Sequence, residues 1–511
     1  MVCVVSRPVR GLPSNNIINK YYYIKMEIKD LQPKAVFSIF DEITKIPRPS
    51  KKEEKIRAFI LDFAKQHGLD AKTDAVGNVV ITKPATPGHE NAPTVILQGH
   101  MDMVCESNIK GFDFETQPIP AVVDGEWVRT EGTTLGADNG IGVAASLAVL
   151  TDPDLEHGPL EALFTMDEET GMTGAFGLGE GMINGDILVN LDSEDDAEIF
   201  VGCAGGVDTV CTFKYNRSVA PTDFLYFKLD VSGAQGGHSG GDIHLGRVNA
   251  NKLLARFLFD LTRKHEVSVS EIDGGNLRNA IPRAAHAVFG VHTSKKEDVR
   301  VAFNNFIATV QNEYADLEPT LELTLESMPT PDFCIDSTTS LNLIRSLYCA
   351  PHGVVSMSRE LENLVETSTN LASVKMKADN EIVVTTSQRS SVDSRKWDIA
   401  NQVEAVFELA GAKVVHGEGY PGWKPNMKSP IMKIAGDAYE ELYGVRPAIK
   451  AIHAGLECGL FLEKYPHLDM VSFGPTLRDV HSPSERMHIP AVDRFYNQLK
   501  LVIKKVADMR K

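Results

Sequence analysis

The sequence has few of the features that mark disulfide-rich, membrane-spanning or nucleic-acid-binding proteins. Its seven cysteines are an odd number, and no two of them form a Cys-x-x-Cys pair. This usage favours free thiols in a reducing compartment over a disulfide framework, and it therefore predicts a cytoplasmic location. No apolar run reaches the roughly 18 residues that a membrane span needs, so no membrane partner is expected.

Basic residues are also outnumbered: the chain has 52 Lys and Arg residues against 69 Asp and Glu residues, so its formal net charge is -17. A nucleic-acid-binding protein would show a basic face, so this balance argues against nucleic acid as a partner. The chain of 511 residues is otherwise ordinary, with 43% hydrophobic and 24% charged residues. Its length exceeds that of one typical domain, and two or more domains are expected.

The first 25 residues differ from the rest of the chain. They carry Arg7, Arg10 and Lys20 but lack the apolar stretch of about 7–15 residues that a signal peptide needs. A regular amphipathic pattern begins only after Met26. Our hypothesis is that residues 1–25 are an extra segment outside the native protein, with Met26 as the functional first residue.

Apolar periodicity predicts alternating helices and strands in the next part of the chain. Helical spacing begins near Val36, and Ser50 with Glu53 reads as a capping box for a second helix that Gly68 ends. Further along, strands are predicted at 79–81, 94–97, 161–165 and 186–191, and a helix at 140–151. Because strands alternate with helices, we predict an α/β domain with a mostly parallel sheet.

The pattern changes after residue 207. Strand and helix signals then follow the order β-α-β-β-α-β, which predicts a separate α+β domain inserted into the first. A similar order recurs from about 342 to 415, so the inserted unit is expected to be doubled. The predicted parts are the extra segment (1–25), the main domain in two pieces (26–207 and 419–511) and the inserted domain (208–418).

Acids and histidines follow several of the predicted strands. Asp138 lies between two glycines near the start of a helix, where an acid is usually a cap. His100, the Glu168-Glu169 pair and Asp192 each come a few residues after an apolar strand. Since open α/β sheets bind ligands beyond the carboxyl ends of their strands, we expect these side chains to converge.

Two histidines and three acids form a candidate set for two metal ions. Zinc takes imidazole nitrogen and carboxylate oxygen, and two metals about 3.5–4 Å apart need a bridging carboxylate. The set is His100, Asp138, Glu169, Asp192 and His481. The chain has no His-Glu-x-x-His motif, and residues this far apart also suit unrelated surface or packing roles.

Neighbours of this set have roles of their own. Asp102 follows His100 by two residues on a strand, so it points to the same side and can accept the ring N–H. In the Glu168-Glu169 pair, one carboxylate coordinates a metal and the other is free to take a proton. Cys105 is expected to pack, because the five ligands are already assigned.

Seven strings along the chain match one known family in order. They are LQGHMDMV, GADNGIGVA, FTMDEETG, LVNLDSED, GGHSGGDIH, NAIPR and HAGLECG. From about Pro33 to its end, the chain resembles the di-zinc aminopeptidase/aminoacylase superfamily, and within it the cytosolic aminoacyl-histidine (Xaa-His) dipeptidases. Any one string alone is weak support, whereas several in the same order are highly specific.

The resemblance implies a fold and a metal centre. The main domain would be a zinc-peptidase-like α/β catalytic domain with a mostly parallel mixed sheet, and the inserted α+β domain would be its lid. Asp138 would bridge two zinc ions, for which Co²⁺ or Mn²⁺ could substitute. His100 and Asp192 would hold one ion, and Glu169 and His481 the other.

The resemblance also implies how the remaining residues act. Glu168 would be the general base, Asp102 would orient His100, and His238 of the lid would donate to the oxyanion. A cis peptide is expected at Asp138-Asn139. The residues that would meet the substrate are Asn279, Arg283, His453 and Gly455.

The implied activity is hydrolysis of the peptide bond of unblocked dipeptides, with broad specificity that includes Xaa-His and β-alanyl-histidine. N-acyl amino acid deacylation and tripeptide hydrolysis at the same site are the nearest alternatives. The side-chain preference and the metal stay open. So does the choice between a homodimer and a doubled lid that replaces the partner within one chain.

Two other classes of function compete with this interpretation. Ser239 lies in a G-x-S-x-G string, but a nucleophile elbow needs a strand that turns directly into a helix, and the predicted helix begins only near Asn249. A binding protein that has lost its metals is the third class, and the complete set of ligand types argues against it.

Single residues have plainer interpretations as well. His238 suits a glycine-rich turn, and Arg283 suits a surface charge. His453 and Glu457 have the spacing of an i,i+4 pair on one helix face.

Overall fold

The computed structural model of the chain describes residues 26–509. The predicted extra segment, residues 1–25, lies outside the described residues. Two large sheets and the helices that pack on them account for most of the described part. Within residues 26–509, no helix is long and apolar enough to cross a bilayer.

The elements of the first piece follow the predicted alternation. They are α1 (Lys34–Ile43), α2 (Glu54–Gln66), β1 (Asp70–Thr73), β2 (Val79–Lys83), β3 (Val95–His100), β4 (Ala121–Asp124), β5 (Trp127–Thr130), α3 (Ala137–Thr151), β6 (Leu160–Thr165), α4 (Glu168–Gly171), α5 (Thr173–Gly177), β7 (Ile187–Asn190) and β8 (Glu198–Cys203).

The elements of the inserted piece come next in the chain. They are β9 (Gly205–Lys214), β10 (Arg217–Ser218), β11 (Phe224–Ser232), β12 (Gly237–His238), α6 (Ala250–Thr262), β13 (Ser268–Gly274), β14 (Ala280–Ile281), β15 (Ala285–His292), α7 (Lys296–Tyr314), β16 (Glu322–Met328), β17 (Cys334–Ile335), α8 (Ser337–Cys349), β18 (Gly353–Met357), β19 (Val365–Lys377), β20 (Glu381–Ser390), α9 (Asp393–Leu409) and β21 (Lys413–His416).

The last piece returns to the first sheet. Its elements are α10 (Pro430–Tyr443), β22 (Ala448–Ile452), α11 (Cys458–Lys464), β23 (Asp469–Ser472), β24 (Leu477–Arg478), β25 (Arg486–His488) and α12 (Ile489–Ala507). Short 3-10 turns lie at 28–30, 243–245, 293–295 and 378–380.

The first sheet has eight strands in the order β1-β2-β6-β3-β7-β23-β8-β22. The central strands β6, β3, β7 and β23 are parallel neighbours, and the edge strands β1 and β2 are antiparallel. Every residue of β3, β6 and β7 is buried, as expected where helices cover both faces of a parallel sheet. This sheet confirms the predicted α/β fold class.

The second sheet has nine strands, and all of its strand pairs are antiparallel. One half contains β11, α6, β13, β15, α7 and β16, and the other contains β9, α8, β18, β19, β20, α9 and β21. The halves join where β13 pairs with β19. A separate α+β unit is therefore confirmed. Residues 342–415 do not repeat the predicted order by themselves, because β9, which precedes the first half in the chain, supplies a strand of the second half. The boundaries at 208 and 418 stay predictions.

The predicted capping box at the start of α2 is wrong. The hydroxyl of Ser50 donates instead to the Asp102 carboxylate, at 2.7 Å. Glu53 accepts from the backbone N–H groups of Lys51 and Asp167, each at 2.9 Å. Both residue types fit the local motif, but the two side chains form hydrogen bonds with other groups, two of which are distant in the sequence. A short window of sequence does not show those distant partners.

Two buried charged side chains hold the loop that leads into α3. The Glu485 carboxylate accepts hydrogen bonds from the four backbone N–H groups of residues 135–138, at 2.7–3.3 Å. The Arg48 guanidinium donates to the carbonyls of Met101 and Gly136. Because charged groups make the stronger hydrogen bonds, this loop and the end of β3 are fixed against each other.

Candidate metal centre

At the end of β3, His100 faces two acids from neighbouring elements. Its Nε2 lies 3.1 Å from Asp138 Oδ1 and 3.3 Å from Asp192 Oδ1. Asp138 stands at the start of α3, and Asp192 follows β7 by two residues. The peptide Asp138-Asn139 is cis, as the resemblance implied. These three side chains place one nitrogen and two carboxylate oxygens within 4.8 Å of one another, as a cation ligand set requires.

The other oxygen of Asp138 faces a second cluster. Asp138 Oδ2 lies 3.1 Å from His481 Nε2, and the same nitrogen lies 3.0 Å from Glu169 Oε2. Glu169 belongs to α4, directly after β6, and His481 stands in the loop between β24 and β25. One carboxylate is thus shared by two histidine–acid clusters, whose five residues come from five separate parts of the chain.

Asp102 connects the first cluster to α4. Its Oδ1 lies 3.2 Å from His100 Nδ1 and accepts the backbone N–H of Glu168 at 3.0 Å. Its Oδ2 accepts the backbone N–H of Glu169 at 3.2 Å. Because a carboxylate faces Nδ1 of His100, the Nε2 lone pair is left for a cation.

The donor chemistry of the two clusters fits divalent cations. Four carboxylates converge here with only two imidazoles. The carboxylates belong to Asp138, Glu168, Glu169 and Asp192. Glu169 Oε1 is buried and has no hydrogen-bond partner in the described part of the chain. Buried carboxylates without counter-charge are costly, and bound cations would remove that cost.

Burial and crowding shift the pKa values of the clustered groups. Hydrogen bonds to Asp138 and Glu169 raise the pKa of His481 to about 11. Burial raises the pKa of Asp192 to about 7, and the negative charge of Asp138 adds to the effect. Burial also raises the pKa of Glu168 well above its ordinary value, with Asp192 and Glu169 contributing. All three shifts favour the protonated forms, so a bound cation would compete with protons for these groups.

A cleft of about 580 Å³ opens above the two clusters, between the main and the inserted domain. Both domains supply its walls. From the main domain they include Glu168, Glu169, Gly455 and His481, and from the inserted domain His238, Arg278, Asn279 and Arg389.

The ring of His238 is held by its own loop. Its Nδ1 accepts the backbone N–H groups of Gly241 at 2.9 Å and Gly240 at 3.2 Å. Burial and the nearby Arg389 charge lower the pKa of His238, so its ring is neutral. Since Nδ1 accepts, the proton sits on Nε2, which is the donor available to the cleft.

The predicted substrate residues separate into two groups. Asn279 and Gly455 line the cleft. Arg283 lies outside that lining and donates to a main-chain carbonyl at 3.1 Å. His453 is buried outside the lining, with its Nε2 2.7 Å from the hydroxyl of Ser368. The interpretation of His453 and Glu457 as a helix-face pair is wrong, because α11 begins only at Cys458.

The sequence-based reasoning missed Arg389. The residue is 8% exposed, and its guanidinium donates to the Tyr420 hydroxyl at 3.1 Å. Its buried Nε has no partner in the described part of the chain. The available signal was a single positive charge inside β20, a strand whose other residues after Glu381 are uncharged. A lone charge at a buried strand position indicates a specific partner.

The serine nucleophile finds no support in the geometry around it. The Ser239 hydroxyl is buried and has no hydrogen-bond partner among residues 26–509. The neighbouring ring nitrogen of His238 already accepts two backbone N–H groups, and β12 is followed by a turn instead of a helix. Cys105 also stays outside both clusters, and burial raises the pKa of its thiol to about 11.

The affinity of this centre for divalent cations is expected to depend on pH. Below its raised pKa, His481 holds a proton that a cation must displace, so acid weakens binding and base strengthens it. We expect the apparent affinity to rise about tenfold or more per pH unit between pH 6 and 8. Competition with a chromophoric chelator of known pH dependence measures this slope, and a flat profile would contradict it.

Comparison with known proteins gives a consistent result. The sequence profile of Peptidase family M20/M25/M40 matches residues 96–505. The cytosol non-specific dipeptidase of Escherichia coli (strain K12) is 43% identical over 481 residues, which cover 94% of this chain and 99% of that protein.

Solved structures agree with the sequence comparison. Aminoacylhistidine dipeptidase from Vibrio alginolyticus matches with a TM-score of 0.89 and 44% identity, over 95% of this chain and 99% of that one. A tripeptidase from Staphylococcus aureus matches at a TM-score of 0.55 over 94% of this chain and 100% of that one, but at 16% identity it shares the fold alone. The chain therefore belongs to Peptidase family M20/M25/M40, a family of metal-dependent peptidases.

Proposed function

We propose that the protein hydrolyses the peptide bond of unblocked dipeptides, Xaa-His among them, with broad specificity. The observation that carries the proposal is the Asp138 carboxylate, which two histidine–acid clusters share at the base of a cleft. The substrate class follows the names of the two relatives that match over nearly their full lengths, a non-specific dipeptidase and an aminoacylhistidine dipeptidase. The cytosolic name of the first also supports a cytoplasmic location.

The two clusters are assigned to two divalent ions. His100 and Asp192 would hold one ion, and Glu169 and His481 would hold the other. Asp138 would contact both ions. Zinc suits this nitrogen and oxygen donor set, and Co²⁺ or Mn²⁺ could replace it. Two such ions would supply Lewis acidity for the scissile carbonyl and would lower the pKa of a shared water.

Glu168 is the proposed general base. Its side chain lines the cleft and belongs to neither of the clusters that share Asp138. A carboxylate whose pKa is raised by burial can accept a proton from water and later give it to the leaving amine. The hydrogen bond from its backbone N–H to Asp102 fixes its position relative to His100.

Two residues of the inserted domain would act on the substrate from the opposite wall. The Nε2–H group of His238 would donate to the oxygen of the scissile carbonyl as negative charge develops there. The buried Arg389, with its unpaired Nε, would bind the free carboxylate of the dipeptide through charge-assisted hydrogen bonds. Asn279 and Gly455 complete the wall, and a Cβ at Gly455 would lie 2.9 Å from the Tyr420 ring.

The inserted domain is proposed to be a lid, because it supplies one wall of the cleft. Closure of the lid would exclude water and bring His238 against the substrate. Substrate contact by Arg283 and His453, and a homodimer, stay predictions.

Loss of the Glu168 carboxylate is expected to abolish turnover without loss of metal. For Glu168→Gln we expect kcat on a Xaa-His dipeptide to fall by about 10²–10⁴-fold, because general acid–base catalysis contributes that much. Elemental analysis is expected to find the wild-type number of ions in this variant. The matched control, Glu169→Gln, removes a proposed ligand next to it and is expected to lose metal. Near wild-type kcat in Glu168→Gln would refute the assignment of the base.

The function itself is tested by a hydrolysis panel of dipeptides, tripeptides, N-acetyl amino acids and dipeptide amides. We expect dipeptides with a free carboxylate to be preferred, a chelator to abolish activity and zinc to restore it, with no labelling by a serine-reactive probe. A preference for acetylated substrates would overturn the dipeptidase assignment and leave the metal centre standing.

The same panel distinguishes the two arginines. Arg389→Met is expected to raise KM for free dipeptides about 10- to 100-fold, the cost of losing a hydrogen bond to a charged group, and to leave dipeptide amides unaffected. Arg283→Met is the comparison. If Arg283→Met shows that loss and Arg389→Met does not, the carboxylate is bound by Arg283.

A further inference from the structure

One layer below the proposed metal centre, a row of polar side chains crosses the main sheet. The strand register pairs Gln98 on β3 with Asn190 on β7, and Asn190 with Ser472 on β23. All three are fully buried, and adjacent strand positions such as Leu97 and Val189 are apolar. A polar row in a buried parallel sheet is costly unless its groups are hydrogen-bonded to one another.

The hydrogen bonds of this row run in one direction. Ser193 Oγ lies 2.6 Å from Ser472 Oγ, and Ser472 donates to Asn190 Oδ1. Asn190 Nδ2 donates to Gln98 Oε1, and Gln98 Nε2 donates to Glu457 Oε2 at 2.6 Å. Since Ser472 uses its proton on Asn190, Ser193 is the donor in the first step. The chain of donors therefore ends on the Glu457 carboxylate.

The row lies directly beneath two proposed ligands of one ion. Gln98 precedes His100 by two residues, and Asn190 precedes Asp192 by two. The two ligand atoms, His100 Nε2 and Asp192 Oδ1, are 3.3 Å apart. The hydrogen bond between Gln98 and Asn190 fixes β3 against β7, and with it the spacing of these ligands.

Glu457 joins this row to a third strand and to the cleft wall. Its Oε2 also accepts a hydrogen bond from the hydroxyl of Thr165 at 2.8 Å. Thr165 lies on β6, where it is the register partner of His100 on β3. The Glu457 side chain is 1% exposed. The residues just before it, Ala454 and Gly455, line the cleft. One carboxylate thus receives donors from both β3 and β6.

We propose that Glu457 is a positioning residue for the ion site of His100 and Asp192, and that it acts through Gln98 and Thr165. This inference rests on the proposed two-ion centre. If the carboxylate is removed, the Gln98 amide and the Thr165 hydroxyl lose their common acceptor in a buried part of the fold, and the 3.2 Å hydrogen bond from Gln98 Nε2 to Thr165 Oγ1 is what remains between them. Side chains that support metal ligands in this indirect way typically contribute 10- to 100-fold to metal affinity.

The test is a stepwise zinc titration of the full chain against a chromophoric chelator. Glu457→Leu is expected to raise the Kd of one ion 10- to 100-fold and to leave the other within about threefold. Glu457→Gln retains an acceptor oxygen and is expected to restore most of the affinity. In a His481→Ala background the ion that remains is the one at His100, so its Kd reports the effect of Glu457→Leu directly.

Glu161→Leu is the matched control. Glu161 is a buried acid on β6, four residues before Thr165. Its carboxylate accepts hydrogen bonds from the backbone N–H groups of Asn184 and Gly185. Its loss is expected to lower the midpoint of thermal unfolding and to leave both zinc affinities unchanged. If Glu457→Leu does not fold, Gln98→Met interrupts the same row at similar volume and is expected to show the same selective loss.

The outcomes separate this inference from the proposed function. Wild-type protein that binds fewer than two zinc ions refutes the two-ion centre. Wild-type protein that binds two, together with Glu457→Leu that also binds both normally, overturns the role of Glu457. Equal weakening of both ions, or the same weakening in Glu161→Leu, would make Glu457 a general stability residue and would also overturn it.

Discussion

The structure of the site depends on one shared carboxylate. Asp138 faces His100 with one oxygen and His481 with the other, although the two histidines are 381 residues apart in the chain. The inserted domain separates these two parts of the sequence, and the main sheet reunites them when the last piece of chain adds β22 and β23. A hydrolytic centre at this place therefore requires the whole main domain to be folded.

Charged side chains outside the clusters make this arrangement rigid. The Glu485 carboxylate accepts hydrogen bonds from the backbone N–H groups of residues 135–138. The Arg48 guanidinium donates hydrogen bonds both to this loop and to the end of β3. Asp102 in turn ties His100 to α4. Burial of a charge is costly, and several hydrogen bonds to fixed backbone groups offset that cost. The proposed ligands are thus held in place by the protein's own hydrogen bonds.

Much of this could be predicted from the sequence, because the relevant signals are local. His100, Glu169 and Asp192 follow apolar strands, and the edge of a parallel sheet brings such residues together whatever their distance in the chain. The fold class and the separate α+β unit were likewise visible in the alternation of helices and strands. The family strings then indicated which acid is shared, a choice that spacing alone left open.

What could not be predicted depends on partners that are remote in the sequence. Ser50 and Glu53 have the spacing of a capping box, yet their partners are Asp102 and a distant backbone N–H group. Arg283 lies in a family string, whereas Arg389 lies in the cleft wall, because β20 carries it there. The paired-ion centre is tested most directly by anomalous diffraction at the zinc edge from crystals of the zinc-loaded protein. We expect two peaks about 3.5–4 Å apart, one on each side of the Asp138 carboxylate, and a single peak, or peaks away from Asp138, would contradict the paired-ion centre.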